Sequence, residues 1–263
     1  MKILFVGAIV GNPGRKAARE MISALRKEQP FDYCIANAEN AAGGTGITYV
    51  VAQELYKAGV DAITMGNHTW SKREVLNFID SDSRLVRPAN YPLGLPGRGS
   101  TVIDGKIGII NLLGKVYMEG ADCPFRAVDR EIQYLKSFVK VIIVDIHAEA
   151  TSEKCALAWY VDGRVSAVIG THTHVQTADE RIFPCGTGFL TDVGMTGPHD
   201  GVIGVDRELV IEKFLTHMPV KFEVAKGCAQ FNAVQLEVDE RNGRTIAIKR
   251  ISRLTNLNEN KIY

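Results

Sequence analysis

The sequence predicts an α/β protein in which helices cover a largely parallel sheet. Apolar runs of strand length alternate with amphipathic stretches of helical spacing through residues 1–80, and the alternation resumes after residue 126. A strand–helix–strand order requires crossover connections, which make neighbouring strands parallel. The chain has 263 residues, 46% of them hydrophobic, which is enough for one large core. We therefore predict one domain over residues 1–263.

The first half contains three strand–helix units. Asn12-Pro13 marks the first helix start, because asparagine caps helices and proline suits the first helical turn. The predicted elements are a strand at residues 3–6, a helix from 12, a strand at 33–36, a helix at 48–59, a strand at 61–65 and a helix opened by the capping box Ser71-x-x-Glu74.

Antiparallel strands are expected in two later places. Residues 84–114 are richer in glycine and proline, with a hairpin-like piece at 101–107, and the tail at 221–251 alternates apolar and polar residues. Between them the sequence predicts helices at 126–138, 153–159 and 207–216 and strands at 141–144 and 167–169.

Charge and cysteine content exclude several classes of protein. The 31 Lys+Arg against 30 Asp+Glu leave a formal net charge of +1, which argues against a protein that binds extended duplex nucleic acid. The five cysteines are scattered without a C-x-x-C pair, which argues against a disulfide framework or a zinc ribbon. No signal peptide or membrane span is recognisable, so we expect a cytoplasmic protein without membrane association.

Polar motifs follow the carboxyl ends of the predicted strands, where open α/β sheets bind their ligands. These motifs lie at residues 37–40, 66–68, 145–147 and 170–174. His172 and His174 are two residues apart, so in extended backbone both can face one site. Nitrogen and oxygen ligands without cysteine suit Zn, Mn, Fe, Ni or Co.

Each motif alone has a plainer explanation. Gly66-Asn67-His68 is typical of a turn, Glu39 of a helix cap, and Asp145 of a locally paired buried charge, while the later histidines suit a core or loop. The coincidence of all four motifs at strand ends favours a metal site.

The motifs also resemble a known family. Gly66-Asn67-His68, His147 and Gly170-Thr171-His172-Thr173-His174 are similar to calcineurin-like metallophosphoesterases. The resemblance is closer to the bacterial YmdB-type branch at residues 37–40, 63–70, 86–90, 147–154 and 191–198. It implies the metallo-dependent phosphatase fold, a four-layer α/β/β/α sandwich. It also implies a phosphodiesterase acting on 2′,3′-cyclic nucleotides with two metal ions, most often iron, with manganese tolerated.

The resemblance also assigns roles to residues. Glu39 would bridge both metals, Asn40 and His174 would bind the first, and Asn67, His147 and His172 the second. His68 would donate a proton to the leaving oxygen. Asp145 and Asp192 are candidates for substrate contact or for support of the ligands, although purely structural roles are equally open.

One position departs from the family pattern. The family has an aspartate where this chain has Ala8, in Gly7-Ala8-Ile9-Val10-Gly11, and a methyl group cannot coordinate a metal. We therefore expect strong binding at the second metal, weak binding at the first, and reduced activity. The alanine is either a deliberate substitution or a natural divergence. The loop at residues 42–46 is also less polar than the family leads us to expect.

The expected substrate is a small cyclic nucleotide or an RNA end that carries a cyclic phosphate. Two alternatives stay open: a non-catalytic regulatory or nucleotide-binding protein on the same fold, and a phosphomonoesterase. Trp70 and Trp159 are candidates for stacking on a base, although large aromatic side chains more often anchor packing. A homo-oligomer is also compatible with the sequence.

Overall fold

Two β-sheets stacked face to face, with helices on both outer sides, make up the computed structural model, which describes residues 1–255. The strands β1 to β14 are Lys2–Val6, Ala8–Ile9, Tyr33–Asn37, Ala62–Thr64, Leu85–Val86, Ser100–Ile103, Ile107–Leu113, Val141–His147, Ala167–Thr171, Arg181–Ile182, Gly188–Leu190, Met195–Pro198, Ala229–Asp239 and Arg244–Thr255. The helices α1 to α5 are Gly11–Glu28, Tyr49–Lys57, Pro124–Leu135, Thr151–Tyr160 and Arg207–Thr216.

The first sheet has the strand order β2-β12-β13-β1-β3-β4-β5, with β14 paired to β13. Strands β1, β3, β4 and β5 run parallel, as the strand–helix alternation predicted. The long pair β13–β14 is antiparallel, which confirms the prediction for the alternating tail.

The second sheet has the order β10-β11-β9-β8-β7-β6. Its central strands β7, β8 and β9 are parallel, and β11 runs parallel to β9. Strands β6 and β7 form the hairpin predicted at residues 101–107. Its three-residue turn, 104–106, has positive φ at Asp104 (52°) and Gly105 (66°), and the N–H of Lys106 donates to the carbonyl of Ile103 (3.0 Å).

Three apolar layers hold the sandwich together, and β1 contributes to two of them. Leu4 and Val6 pack in the cluster that contains residues of α1 and α2, whereas Ile3 and Phe5 pack between the two sheets. This division follows from the alternation of side chains along a strand. A third cluster joins the second sheet to α3 and α4. The result is the four-layer α/β/β/α sandwich that the family resemblance implied.

The capping box predicted at residues 71–74 is wrong. Arg73–Asn77 is a short 3₁₀ segment rather than an α-helix. The Glu74 carboxylate accepts a hydrogen bond from the backbone N–H of Tyr49 at the start of α2 (3.0 Å), so a tertiary contact replaces the local cap. Thr48 does cap α2, because its side chain accepts from the N–H of Val51.

No helix in the described part of the chain combines the length and the apolar character that a bilayer span requires. The prediction of one domain over residues 1–263 extends past the described range, and it stays a prediction.

Leu55 offers a test of the layer between the first sheet and its helices. Its side chain on α2 is fully buried, whereas Leu215 on α5 is 79% exposed. We expect Leu55→Ala to lower the free energy of unfolding by about 2–5 kcal/mol, because the cavity remains largely unfilled. Leu215→Ala is the matched control and changes it by less than about 0.5 kcal/mol. Urea denaturation measures both, and equal effects would contradict the assigned packing.

Candidate metal centre

The candidate site lies where strands from both sheets end. Glu39 follows β3 and Asn67 follows β4 in the first sheet, while His147 ends β8 and His172 follows β9 in the second. The carboxyl ends of these parallel strands point the same way, so the loops that follow them meet at one edge of the sandwich. The fold thus brings together residues that are far apart in the sequence.

Three side chains surround the Nε2 atom of His147. That nitrogen lies 3.0 Å from Oε1 of Glu39, 2.9 Å from Oδ1 of Asn67 and 2.9 Å from Nδ1 of His172. Gly66 lines the same space: a Cβ there would lie 2.5 Å from Glu39 and from the His147 ring. Glu39, His147 and His172 form a group able to hold a metal ion, and their oxygen and nitrogen donors suit a transition metal.

A buried chain of hydrogen bonds orients the His147 ring. Its Nδ1 lies 2.9 Å from the Thr171 hydroxyl, which itself donates to Asp145 at 2.7 Å. The hydroxyl therefore accepts the Nδ1 proton, so Nε2 faces the cluster. Asp145 also accepts from Thr64 (2.5 Å) and Asn37 (3.0 Å). Supports of this kind fix the tautomer and orientation of histidine ligands.

The two buried groups Glu39 and His147 stabilise each other's charge. Burial by itself would raise the pKa of Glu39, but the charge and hydrogen bond of His147, with the N–H of His68, lower it to about 2. Burial would likewise lower the pKa of His147, yet the Glu39 carboxylate raises it above the usual value. Glu39 is consequently an anion at neutral pH, as a metal ligand must be.

The segment that carries His172 and His174 has an unusual backbone. Their φ angles are 107° and 66°, in the region that favours glycine. Asp192 holds the segment by accepting from the N–H of Thr173 (3.0 Å), and the buried Lys154 ammonium pairs with Asp192 at 2.8 Å. Such strain persists only where surrounding contacts enforce it, typically at functional sites.

His172 has a second partner that the sequence analysis did not single out. Its Nε2 lies 3.1 Å from the Glu149 carboxylate, while its Nδ1 faces His147. Burial, followed by the charge of His147, lowers the pKa of His172 to about 4, so its ring is neutral at physiological pH. The only available signal was the position of Glu149 in the loop after β8.

Asn40 and His174 meet beside this cluster. The Asn40 amide nitrogen lies 3.1 Å from Nε2 of His174 and 3.3 Å from Glu39 Oε1. The carbonyl of Ile203 accepts from Nδ1 of His174 (2.9 Å), which leaves Nε2 as the acceptor. Because the amide nitrogen faces both groups, the oxygen of Asn40 would reach a cation between Glu39 and His174 only after the amide rotates.

Ala8 contributes no ligand to the Asn40–His174 half, which corresponds to the first metal of the family pattern. Its side chain is fully buried and packs with Val10, Met195 and Val224 in a small apolar cluster. The half that contains His174 therefore has an amide and an imidazole but depends on Glu39 alone for negative charge. The donor sets thus differ: the His147 half fits a metal ion as it stands, and the His174 half lacks the charge of a carboxylate of its own.

A cleft of about 550 Å³ opens over both halves. It is lined by Val10, Glu39, Asn40, Gly43, Gly44, Thr45, His68, Glu149, His172, Thr173, His174, Ile203, Gly204, Val205, Phe222, Glu223 and Val224. Asp145 and Asp192 are buried behind the candidate ligands and do not line it. Trp70 and Trp159 do not line it either. Within residues 1–255, Phe222, which the sequence analysis passed over, is the phenylalanine, tyrosine or tryptophan that lines the cleft.

Comparison with known proteins identifies relatives over nearly the whole chain. A family model described as "YmdB-like protein" matches residues 4–251. The chain is 49% identical over 254 residues to the 2′,3′-cyclic-nucleotide 2′-phosphodiesterase of Bacillus subtilis (strain 168), covering 95% of this chain and 96% of that protein.

Two crystal structures share the fold. A hypothetical protein from Thermus thermophilus superposes with a TM-score of 0.90 at 40% identity, covering 97% of this chain and 99% of that one. A structure described as a novel phosphatase from Mycoplasma pneumoniae gives a TM-score of 0.91 at 38% identity, covering 97% and 94%. With the family model matched over residues 4–251, these likenesses establish that the chain belongs to the YmdB-like protein family.

Proposed function

We propose that this protein is a metal-dependent phosphodiesterase for 2′,3′-cyclic nucleotides whose activity is reduced by Ala8. The observation that carries the proposal is the meeting of Glu39, Asn67, His147 and His172 in one cluster, of which Glu39 and His172 line a cleft large enough for a nucleotide. The name of the Bacillus subtilis relative, which shares 49% of its residues with this chain, supports the reaction and the substrate class.

The ligands divide into a strong and a weak half. Glu39, Asn67, His147 and His172 would hold one metal ion, and Asn40 and His174, with Glu39 shared, would hold the other. We propose iron as the principal metal, with manganese accepted, as the family resemblance implies; imidazole, amide and carboxylate donors are compatible with both. When bound, such ions offset the charge of a phosphodiester and lower the pKa of a water molecule.

We propose that His68 protonates the leaving oxygen. Its backbone N–H donates to Glu39 Oε2 at 3.0 Å, which holds the residue beside the candidate ligands. Its side chain lines the cleft, and Nδ1 lies 3.3 Å from the Ser71 hydroxyl. The other ring nitrogen, Nε2, can then face the substrate. A histidine side chain in this position could act as a general acid.

A second candidate function follows from Ala8. Its methyl group belongs to an apolar cluster, where a ligating residue is expected from the family pattern. A protein that binds a cyclic nucleotide without turning it over would retain the cleft and lose the first metal. The experiments below separate this regulatory role from a weakened enzyme.

Metal content gives the first test of the proposal. We expect the protein to retain about one metal ion per chain after dialysis, because the His147 half keeps its full set of donors. Ala8→Asp should raise the content to about two and increase turnover of 2′,3′-cAMP at least about tenfold, since a further carboxylate joins the weak half. Elemental analysis measures the metal, and steady-state assays measure turnover.

Ala8→Asn is the matched control, because it has nearly the same size but no charge. It should bind less metal than Ala8→Asp. The aspartate should also lower the melting temperature when metal is removed by chelation, because it buries an unpaired carboxylate. If the unaltered protein already contained two tightly bound metals per chain, the proposed weak half would be wrong.

His68→Gln tests the proton donor. We expect kcat for 2′,3′-cAMP to fall by roughly 10²–10⁴-fold, because the alkoxide leaving group needs a proton. An ester with a p-nitrophenolate leaving group should be much less affected, since that group departs without one. The metal content of His68→Gln should equal that of the parent protein. Equal losses with both substrates would rule out the assigned role.

A further inference from the structure

We propose that the cleft holds the base of a single nucleotide against an apolar wall formed by Ile203, Val205, Phe222 and Val224. The substrate is then a free nucleoside 2′,3′-cyclic phosphate rather than the end of an RNA chain. The inference rests on the proposed function and specifies its substrate class. We call these four residues the base wall.

The base wall is built in advance by backbone hydrogen bonds. Val205 forms an antiparallel bridge with Val224, the N–H of Asp206 donates to the carbonyl of Glu223 (2.9 Å), and Ala225 donates to Gly204 (3.0 Å). Phe222, at the edge of this pair of segments, is 51% exposed and lines the cleft. An accessible aromatic ring is a sequence-tolerant platform on which any base can stack.

The same wall is attached to the candidate metal centre. Val202 and Val205 form a tight hairpin in which Ile203 and Gly204 have φ angles of 46° and 94°. Positive φ is unfavourable for a β-branched residue, and strain of this kind is concentrated at functional sites. In this conformation the Ile203 carbonyl points to Nδ1 of His174, 2.9 Å away, and Ile203 also lines the cleft. The hairpin 202–205 thereby fixes the distance between the candidate ligand His174 and the base wall.

Glycine backbone lies close to the base wall in the cleft. Gly43 and Gly44 have φ angles of 71° and 99°, and both line the cleft with Thr45. A Cβ at Gly44 would lie 3.1 Å from the Val224 side chain, whereas a Cβ at Gly43 would meet nothing within 4 Å. These residues lack side chains that would occupy the space beside the wall, so a flat base has room there. This accounts for the low polarity of the loop at residues 42–46.

The charge of the cleft disfavours long polyanions. Among the residues that the structure describes, no lysine or arginine lines it; its acidic side chains are Glu39, Glu149 and Glu223. The phosphates of an RNA chain are normally bound by lysine, arginine and backbone N–H groups. An additional phosphate would meet carboxylates here, so a ligand with a single phosphate is favoured.

Kinetics with three substrates test the base wall. They are 2′,3′-cAMP, glycerol 1,2-cyclic phosphate, which has no base, and a dinucleotide ending in a 2′,3′-cyclic phosphate. We expect Phe222→Ala to raise KM for 2′,3′-cAMP roughly tenfold through lost stacking, with kcat little changed. KM for the substrate without a base should stay the same, and Phe222→Tyr should retain the parent value. The parent protein should use the dinucleotide at least about tenfold less efficiently than 2′,3′-cAMP.

Phe214→Ala is the matched control, because Phe214 is 75% exposed on α5 and does not line the cleft. It should change none of these constants. An equal effect of Phe222→Ala on the substrates with and without a base would overturn the stacking role. Equal use of the dinucleotide would overturn the restriction to free nucleotides.

Binding separates this inference from the proposed function. Isothermal titration of adenosine 3′-monophosphate, which is not a diester and cannot be hydrolysed by a diesterase, into the metal-loaded protein measures affinity without turnover. If no cyclic phosphate were hydrolysed, the proposed function would fail. A roughly tenfold weaker affinity of Phe222→Ala would then still support the base wall. An unchanged affinity would overturn it, whatever the activity.

Discussion

The candidate site depends on the hydrogen bonds that the buried Asp145 carboxylate accepts. Asp145 belongs to β8 in the second sheet, yet it accepts hydrogen bonds from Asn37 and Thr64 in the first. It also accepts from Thr171, the hydroxyl that orients His147. Burial raises the pKa of Asp145, and hydrogen bonds from these donors oppose that rise. One carboxylate therefore joins the sheets and directs a histidine, although an unpaired charge there would be strongly unfavourable.

A buried ion pair, Lys154–Asp192, holds the other two histidines in position. The Lys154–Asp192 pair is inaccessible to solvent, and Asp192 holds the backbone between His172 and His174. Both histidines keep φ angles that an isolated chain would avoid. The hydrogen bonds around Asp192 and the Ile203 carbonyl offset that strain, so the protein itself fixes the two histidines that we propose as ligands. Preorganisation of this kind is what a metal site requires of its surroundings.

Sequence patterns predicted the parts that depend on periodicity and strand ends. The parallel strands and the polar motifs after them follow from spacing, and the resemblance supplied the second sheet's place in the sandwich. Glu74 shows where local rules fail, because its carboxylate binds Tyr49 from another segment. Glu149 and Phe222 were missed for the same reason: their importance comes from side chains that the fold brings near, namely His172 and the cleft. Tertiary proximity leaves no local signal in a single sequence.

Ala8 and the base wall are linked by the energetics of binding. A site with one strongly held ion offers the phosphate less positive charge than a site with two, and the described cleft has no lysine or arginine to replace it. Affinity for a nucleotide must then come more from apolar contact. Ala8 packs with Val10 and Val224, and both of these residues also line the cleft. In the proposed site, Ala8 would thus supply no charge to the phosphate and would instead support the apolar residues Val10 and Val224 at the cleft, so that recognition would shift from the phosphate towards the base.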